Sequence, residues 1–228
     1  MKKVVCFLLF TSILLAETAS AQQLLPPIEM FSNKKESFLV KNNGDTIKFF
    51  YSIYKFKKKA IVAIVGKDAT GAKTEYKAED TRIIALPPAD FGKYVAFLNA
   101  NESVTKSKKT NQKAYNREMV YFFSENVDGV NMLLQMLNPD FSSKIRIYHD
   151  PFAKETMGWG VGGVTLVGNE DKSYFIKENG KTSKIQKKDY KERFVQLFGK
   201  CPKLLQKYPD AKWSDFAEHV FFFENECE

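Results

Sequence analysis

The chain has 228 residues, of which 44% are hydrophobic, 27% charged and 14% aromatic, and its net charge is +8. That balance belongs to a globular protein and excludes a disordered, collagen-like or coiled-coil one. Past the N-terminal segment no window approaches the roughly 20 apolar residues of a spanning helix, so a multi-pass membrane protein is excluded too.

Lys2 and Lys3 precede an apolar run over 4–16, and Ala19-Ser20-Ala21 supplies small residues at the −3 and −1 positions of a cleavage site before Gln22. These are the three parts of a secretory signal peptide. The expected organisation is a signal peptide at 1–21, an antiparallel β body at 22–186 and a helical tail at 187–228 on the same domain. The expected location is the periplasm or the outside, with no membrane span after cleavage. Cys6 lies inside the apolar run, too early to be a lipidated cysteine. Without Lys2, Lys3 and Glu17, 33 basic and 26 acidic residues remain. Only Arg82, Arg117, Arg146 and Arg193 are arginine. Lysine is a hydrated point charge without arginine's bidentate grip on phosphate and base edges. With no nucleic-acid-binding motif beside it, this charge argues against nucleic acid. It reads as a solvated basic surface with weak attraction for an anionic envelope surface or polysaccharide. The lysines cluster at Lys55, Lys57, Lys58 and Lys59 and again at Lys106, Lys108 and Lys109.

In chain order, 22–30 with Pro26-Pro27 is an irregular lead-in. Strands are predicted at 37–41 and 46–56, around Asn42-Asn43-Gly44-Asp45, whose composition suits a type I′ hairpin turn. Further strands are predicted at 60–65, 74–77, 81–86 and 93–98, the fifth closed by Pro87-Pro88. The polar stretch 99–116 reads as a mobile surface loop. A hairpin of 119–123 with 130–136 turns on Asp128-Gly129. Strands follow at 144–148, 164–167 and 173–177, and Asn179-Gly180 turns the last into 181–185. Turn signals at this spacing, with no amphipathic helix between them, indicate an antiparallel sheet curling toward a barrel.

The last forty residues change period. Asp189 with Glu192 resembles a capping box. Tyr190, Phe194, Leu197 and Phe198 recur at helical spacing, and Gly199 stands at a C-terminal cap position. Pro202 opens a second helix that stops at Pro209. Ser214 caps a third, with Phe216, Val220, Phe223 and Cys227 along one stripe. If the second and third helices form an antiparallel hairpin, Cys201 at the start of one meets Cys227 at the end of the other. The predicted result is a disulfide in an oxidising compartment. The fold class is therefore α+β: a mainly antiparallel β-sheet body with two or three short C-terminal helices.

The residues carry no catalytic constellation. His149 and His219 are the two histidines, and neither C-x2-C nor H-E-x-x-H spacing accompanies them, so no metal and no cofactor is expected. His219 flanks the apolar stripe and reads as packed. His149-Asp150 are neighbours on a strand end, where side chains point opposite ways. Asp45-Thr46-Ile47 fits a bacterial O-glycan acceptor pattern, but turn chemistry accounts for it better. The run Gly158-Trp159-Gly160-Val161-Gly162-Gly163 lacks a P-loop's Lys-Ser/Thr and reads as a strand with one bare face, against which the helices pack. Its functional reading makes Trp159, with His149 and Tyr148, a ligand contact. Carboxylates at Asp140, Asp150, Glu155, Glu170 and Asp171 leave a second reading open, since a glycosidase needs only two in one pocket.

The GDTI of 44–47, the KSYFIKENGK of 172–181 and the KKDYKERFVQLFGKCP of 187–202, with the later His219 and Cys227, resemble a group of uncharacterised exported proteins of Bacteroidota-type Gram-negative bacteria. The resemblance covers about half of the chain after the signal. It implies export and a β-rich body with a helical tail, and it implies no activity. The expected function is a non-enzymatic envelope protein that binds a ligand or partner. The alternative is a carboxylate-dependent hydrolase acting on envelope carbohydrate or peptide. A lipid carrier would need a barrel with a large apolar interior.

Overall fold

A computed structural model describes residues 24–102, 116–153, 160–161, 164–165 and 172–227. The predicted signal peptide, residues 103–115 of the polar stretch, Trp159 and the carboxylates Glu155, Glu170 and Asp171 lie outside the described residues. The class is α+β, as expected. Seven strands build an antiparallel sheet: β1 Glu36–Lys41, β2 Thr46–Lys57, β3 Ala60–Lys67, β4 Lys73–Lys77, β5 Thr81–Leu86, β6 Val120–Val127 and β7 Val130–Gln135. Their order is β4-β3-β2-β1-β5-β6-β7. The sheet curls into a half-barrel. Register shifts that leave Ser52 of β2, Val62 of β3 and Arg82 of β5 without a partner supply local bends, because an unpaired extra residue sharpens the twist.

A second sheet has β8 Ile145–His149, β11 Ser173–Glu178 and β12 Lys181–Gln186 in the order β12-β11-β8, and β9 Gly160–Val161 pairs with β10 Val164–Thr165. The chain leaving β7 joins the two larger sheets. The Leu137 amide donates to the Ile147 carbonyl at 2.8 Å, and Met136 bridges Tyr148. Ala60, Val127, Met132, Leu134, Met136, Tyr148 and Phe175 form the apolar seam between these sheets.

The concave side of the half-barrel is filled, not hollow. Leu39, Phe49, Ile64, Ile84, Leu86, Val120, Phe122 and Leu133 line it, and the lead-in drops Ile28 and Phe31 among them. This segment is irregular, as expected, but buried. Its backbone polar groups need partners inside the protein. Gln135 accepts from the Ile28 amide through Oε1 and donates to the Ile28 carbonyl through Nε2, both at 3.2 Å. Leu25 pairs with Leu137, Arg117 donates to the Pro26 carbonyl, and Ser32 donates to Pro87.

Two expectations fail between β5 and β6. Residues 93–98 are not a strand but the middle of helix α1, Asp90–Glu102, which also takes in the first residues of the predicted loop. Gly92, Val95 and Ala96 are its buried positions, spaced i, i+3, i+4. The helix lies against the lead-in, where a Cβ on Gly92 would stand 2.6 Å from the Met30 carbonyl oxygen. That contact is invisible in local periodicity, and a short apolar run suits helix and strand alike.

The hairpin turns divide by type. Asp128-Gly129 and Asn179-Gly180 have positive φ at both residues, the type I′ signature. The turn at Asn42-Asn43-Gly44 does not, which corrects the type I′ expectation. Only Gly44 is left-handed, at φ +94°. Gly44 donates to the Lys41 carbonyl and Lys41 to Asp45, a type I turn closed by a glycine bulge. The third two-residue turn is Lys58-Lys59, with φ of 48° and 62°. A non-glycine residue held there costs about 1 kcal/mol.

The tail has helices α2 Tyr190–Phe198, α3 Pro202–Lys207 and α4 Phe216–Glu226. They pack Phe194, Leu197, Phe198, Leu204, Phe216 and Val220 against Ile147, Ile176 and Ile185 of the small sheet. Pro202 occupies the first turn of α3, as expected. The predicted caps do not form. Short 3₁₀ turns, Lys187–Asp189 and Trp213–Asp215, lead into α2 and α4, so Asp189 and Asp215 take the cap positions with no side-chain bond. The first amide of each helix already donates to the turn, and Ser214 bonds Asp215 instead. Gly199 ends α2 in ordinary right-handed backbone. A Cβ there would meet the Val195 carbonyl oxygen at 2.4 Å, so close approach requires the glycine. Cys201 and Cys227 are bridged, their Cα atoms 5.5 Å apart.

Candidate functional site

Tyr148 and His149 end β8 and point to opposite faces, so the structure does not bring them together as one ligand contact. The Tyr148 hydroxyl donates to Glu125 Oε1 at 2.7 Å, and Glu125 also accepts from Lys177 Nζ at 2.8 Å and Thr182 Oγ1 at 2.9 Å. Burial first, and then the Glu125 carboxylate, push the Tyr148 phenol well above its ordinary range. This network fastens β6 to the small sheet. His149 is buried, with Nε2 4.0 Å from Glu29 Oε1 on the lead-in. Asp150 turns away from His149, accepting from Ser173 Oγ at 2.7 Å and lying 2.5 Å from Lys184 Nζ.

The remaining buried carboxylate, Glu224 of α4, accepts from the Ser143 hydroxyl at 2.6 Å and the Lys144 amide at 2.8 Å, and from the Ile145 amide. It pins α4 to the start of β8. Glu125, Asp150 and Glu224 are thus each occupied by several donors. Among the described residues no three His, Cys, Asp or Glu side chains gather as a metal site requires.

The tail holds a cleft. A cleft of about 330 Å³ opens between α2, α3 and the turn after α3, lined by Lys191, Phe194, Leu205, Tyr208, Asp210 and Ala211. Its apolar wall is also the wall of a buried histidine. The His219 ring centroid lies 4.5 Å from Tyr208 and 4.9 Å from Phe194, with Tyr190 stacked at 6.0 Å. Tyr190 Oη is 2.5 Å from His219 Nδ1. With the phenol as donor, the ring proton sits on Nε2, which is buried and has no hydrogen-bond partner among the described residues. Burial lowers the His219 pKa to about 4, with Asp215 opposing the shift. The imidazole is therefore neutral at pH 7.

No protein-family model matches this chain, nor does any curated protein or solved structure.

The tail cleft combines an apolar wall with two charged lining residues, Lys191 and Asp210, features of small-molecule sites, and His219 is buried behind that wall. In the sequence Phe194, Leu205, Tyr208 and His219 read as packing residues, and the candidate contacts lie at Tyr148, His149 and Trp159. The available signal was Tyr190, Phe194 and Phe198 at i, i+4, i+8, an aromatic stripe wide enough to enclose a ring from a second helix.

Proposed function

We propose that the protein is exported and acts as a non-enzymatic binding module, taking a small amphiphile into the cleft between α2 and α3. One observation carries this reading: Phe194, Leu205 and Tyr208 give the cleft an apolar wall, while Lys191 and Asp210 place a charge of each sign in the same lining. Such a lining favours a ligand with an apolar body and a polar head. The size suits a fragment-scale molecule, at the low end of the usual range. The signal-like N-terminus and the Cys201–Cys227 bridge support export, because such bridges persist in oxidising compartments. The occupied state of Glu125, Asp150 and Glu224 favours binding over carboxylate chemistry. The filled half-barrel speaks against a lipid carrier.

The test is amide chemical-shift mapping with phenylacetate, phenylacetamide and indole-3-acetate. Shifts should gather at Phe194, Leu205, Ala211 and His219 and vanish in Leu205→Trp, which fills the cleft. Shifts gathered at Tyr148 and His149, or no shifts anywhere, would refute the assignment.

A further inference from the structure

Among the described residues three two-residue hairpin turns have positive φ at both positions, and one of them differs in composition. Asp128-Gly129 and Asn179-Gly180 use residues that tolerate the left-handed region, whereas the β2–β3 turn uses Lys58-Lys59. Strain held where the same chain shows it can avoid it points to a use for the side chains. All residues from Lys55 to Lys59 are exposed. Lys55 is paired with Glu75, and among the described residues no ion pair engages Lys57, Lys58 or Lys59. Beside them Phe56 is 55% exposed and Phe152, from the loop after β8, 44% exposed. Their rings meet edge to face at 5.9 Å. Two aromatic rings and three unpaired cations therefore share one protruding tip.

We propose that this tip docks on an anionic lipid surface. Lys57, Lys58 and Lys59 reach the headgroup phosphates while Phe56 and Phe152 enter the apolar side of the interface, where aromatic rings are favoured. The rings decide between lipid and an anionic polysaccharide: a polysaccharide satisfies the lysines but leaves both rings in water. Each lysine near an anionic leaflet strengthens partition about fivefold at low salt, and the attraction falls as salt screens it. The proposal is independent of the tail cleft.

Sedimentation with vesicles of phosphatidylcholine containing phosphatidylglycerol tests it, using the full protein as recovered from the envelope fraction. Variants share their N-terminus with the wild type, so any contribution from that end cancels. The wild type should bind these vesicles, bind pure phosphatidylcholine weakly, and release with added salt. Lys58→Asn/Lys59→Gly should lose about 25-fold in partition while melting about 5 °C higher. Phe56→Ser should weaken vesicle binding and leave binding to dextran sulfate unchanged. Unaltered vesicle binding by the lysine variant overturns the proposal. So does a Phe56→Ser variant that binds vesicles as well as the wild type, which would make the tip a polysaccharide contact. Because the lysine variant is expected to be more stable, its loss of binding cannot come from misfolding.

Discussion

His219 shows how one side chain is set by its neighbours. Four aromatic rings surround it: Tyr190, Phe194, Phe198 and Tyr208. They remove water that would stabilise a charge, so the folded pKa falls from 6.5 to about 4. Above pH 6.5 the ring is neutral in folded and unfolded chains alike, and its contribution is fully present. Between pH 6.5 and about 4 the unfolded chain takes up a proton that the folded one refuses, so stability drops as pH falls. Below about 4 both bind it and the drop levels off. The expected loss is on the order of 2–3 kcal/mol. Urea unfolding of wild type and His219→Phe across this window should show their difference changing by that amount, since other titrating groups cancel. A constant difference would mean that the imidazole is not desolvated.

At the scale of elements, the tail is three short helices that could not hold their shape alone, as isolated helices of this length are marginal in water. Three devices hold them. The first is the apolar contact with Ile147, Ile176 and Ile185 of the small sheet. The second is Glu224, which accepts three successive backbone amides at 143–145. The third is the bridge from the start of α3 to the end of α4, spanning 26 residues. In the chain-entropy account that closure contributes roughly 3–4 kcal/mol. Cys201→Ala/Cys227→Ala should lower the urea unfolding free energy by about that much, with the earliest loss of amide protection in α3. Loss of protection spread evenly over β1–β7 would show that the tail and the half-barrel unfold as one unit.

At the scale of the whole molecule, the lead-in is the last layer of the core. Ile28 and Phe31 pack into the core of the half-barrel, and Gln135 pairs with Ile28 as a strand would. Ile28→Ala should cost about 3 kcal/mol, in the range for a buried aliphatic truncated to alanine, measured by urea unfolding. A cost under 1 kcal/mol would mean that the segment lies on the surface. If residues 1–21 are clipped in transit, the new N-terminus stands two residues before Leu24, so the closing layer is the part of the body nearest the cut.

Much of this was readable from local chemistry. Alternating apolar residues and Asp-Gly or Asn-Gly pairs specify strands and turns through contacts a few residues apart, so β2, β3, β5, β8 and the hairpins fall where the sequence places them. The Cys201–Cys227 bridge is legible in the cysteine pair left after the signal, the helical stripe and an antiparallel arrangement of the last two helices. What the sequence left undetermined depends on distant partners. Residues 93–98 form a short apolar run that suits a strand or a helix equally, and the helix they form sets Gly92 against the Met30 backbone of the lead-in. Tyr148 and His149 look like one site but face opposite layers, bound to Glu125 and beside Glu29 from remote strands and loops. The cleft exists because α2, α3 and the turn after α3 come together in a way no periodicity encodes, and His219 is neutral because the packing of α4 against α2 and Tyr208 excludes water. Local sequence sets backbone preference within a few residues; burial, and the pKa and hydrogen-bond demands that come with it, belong to the packed whole.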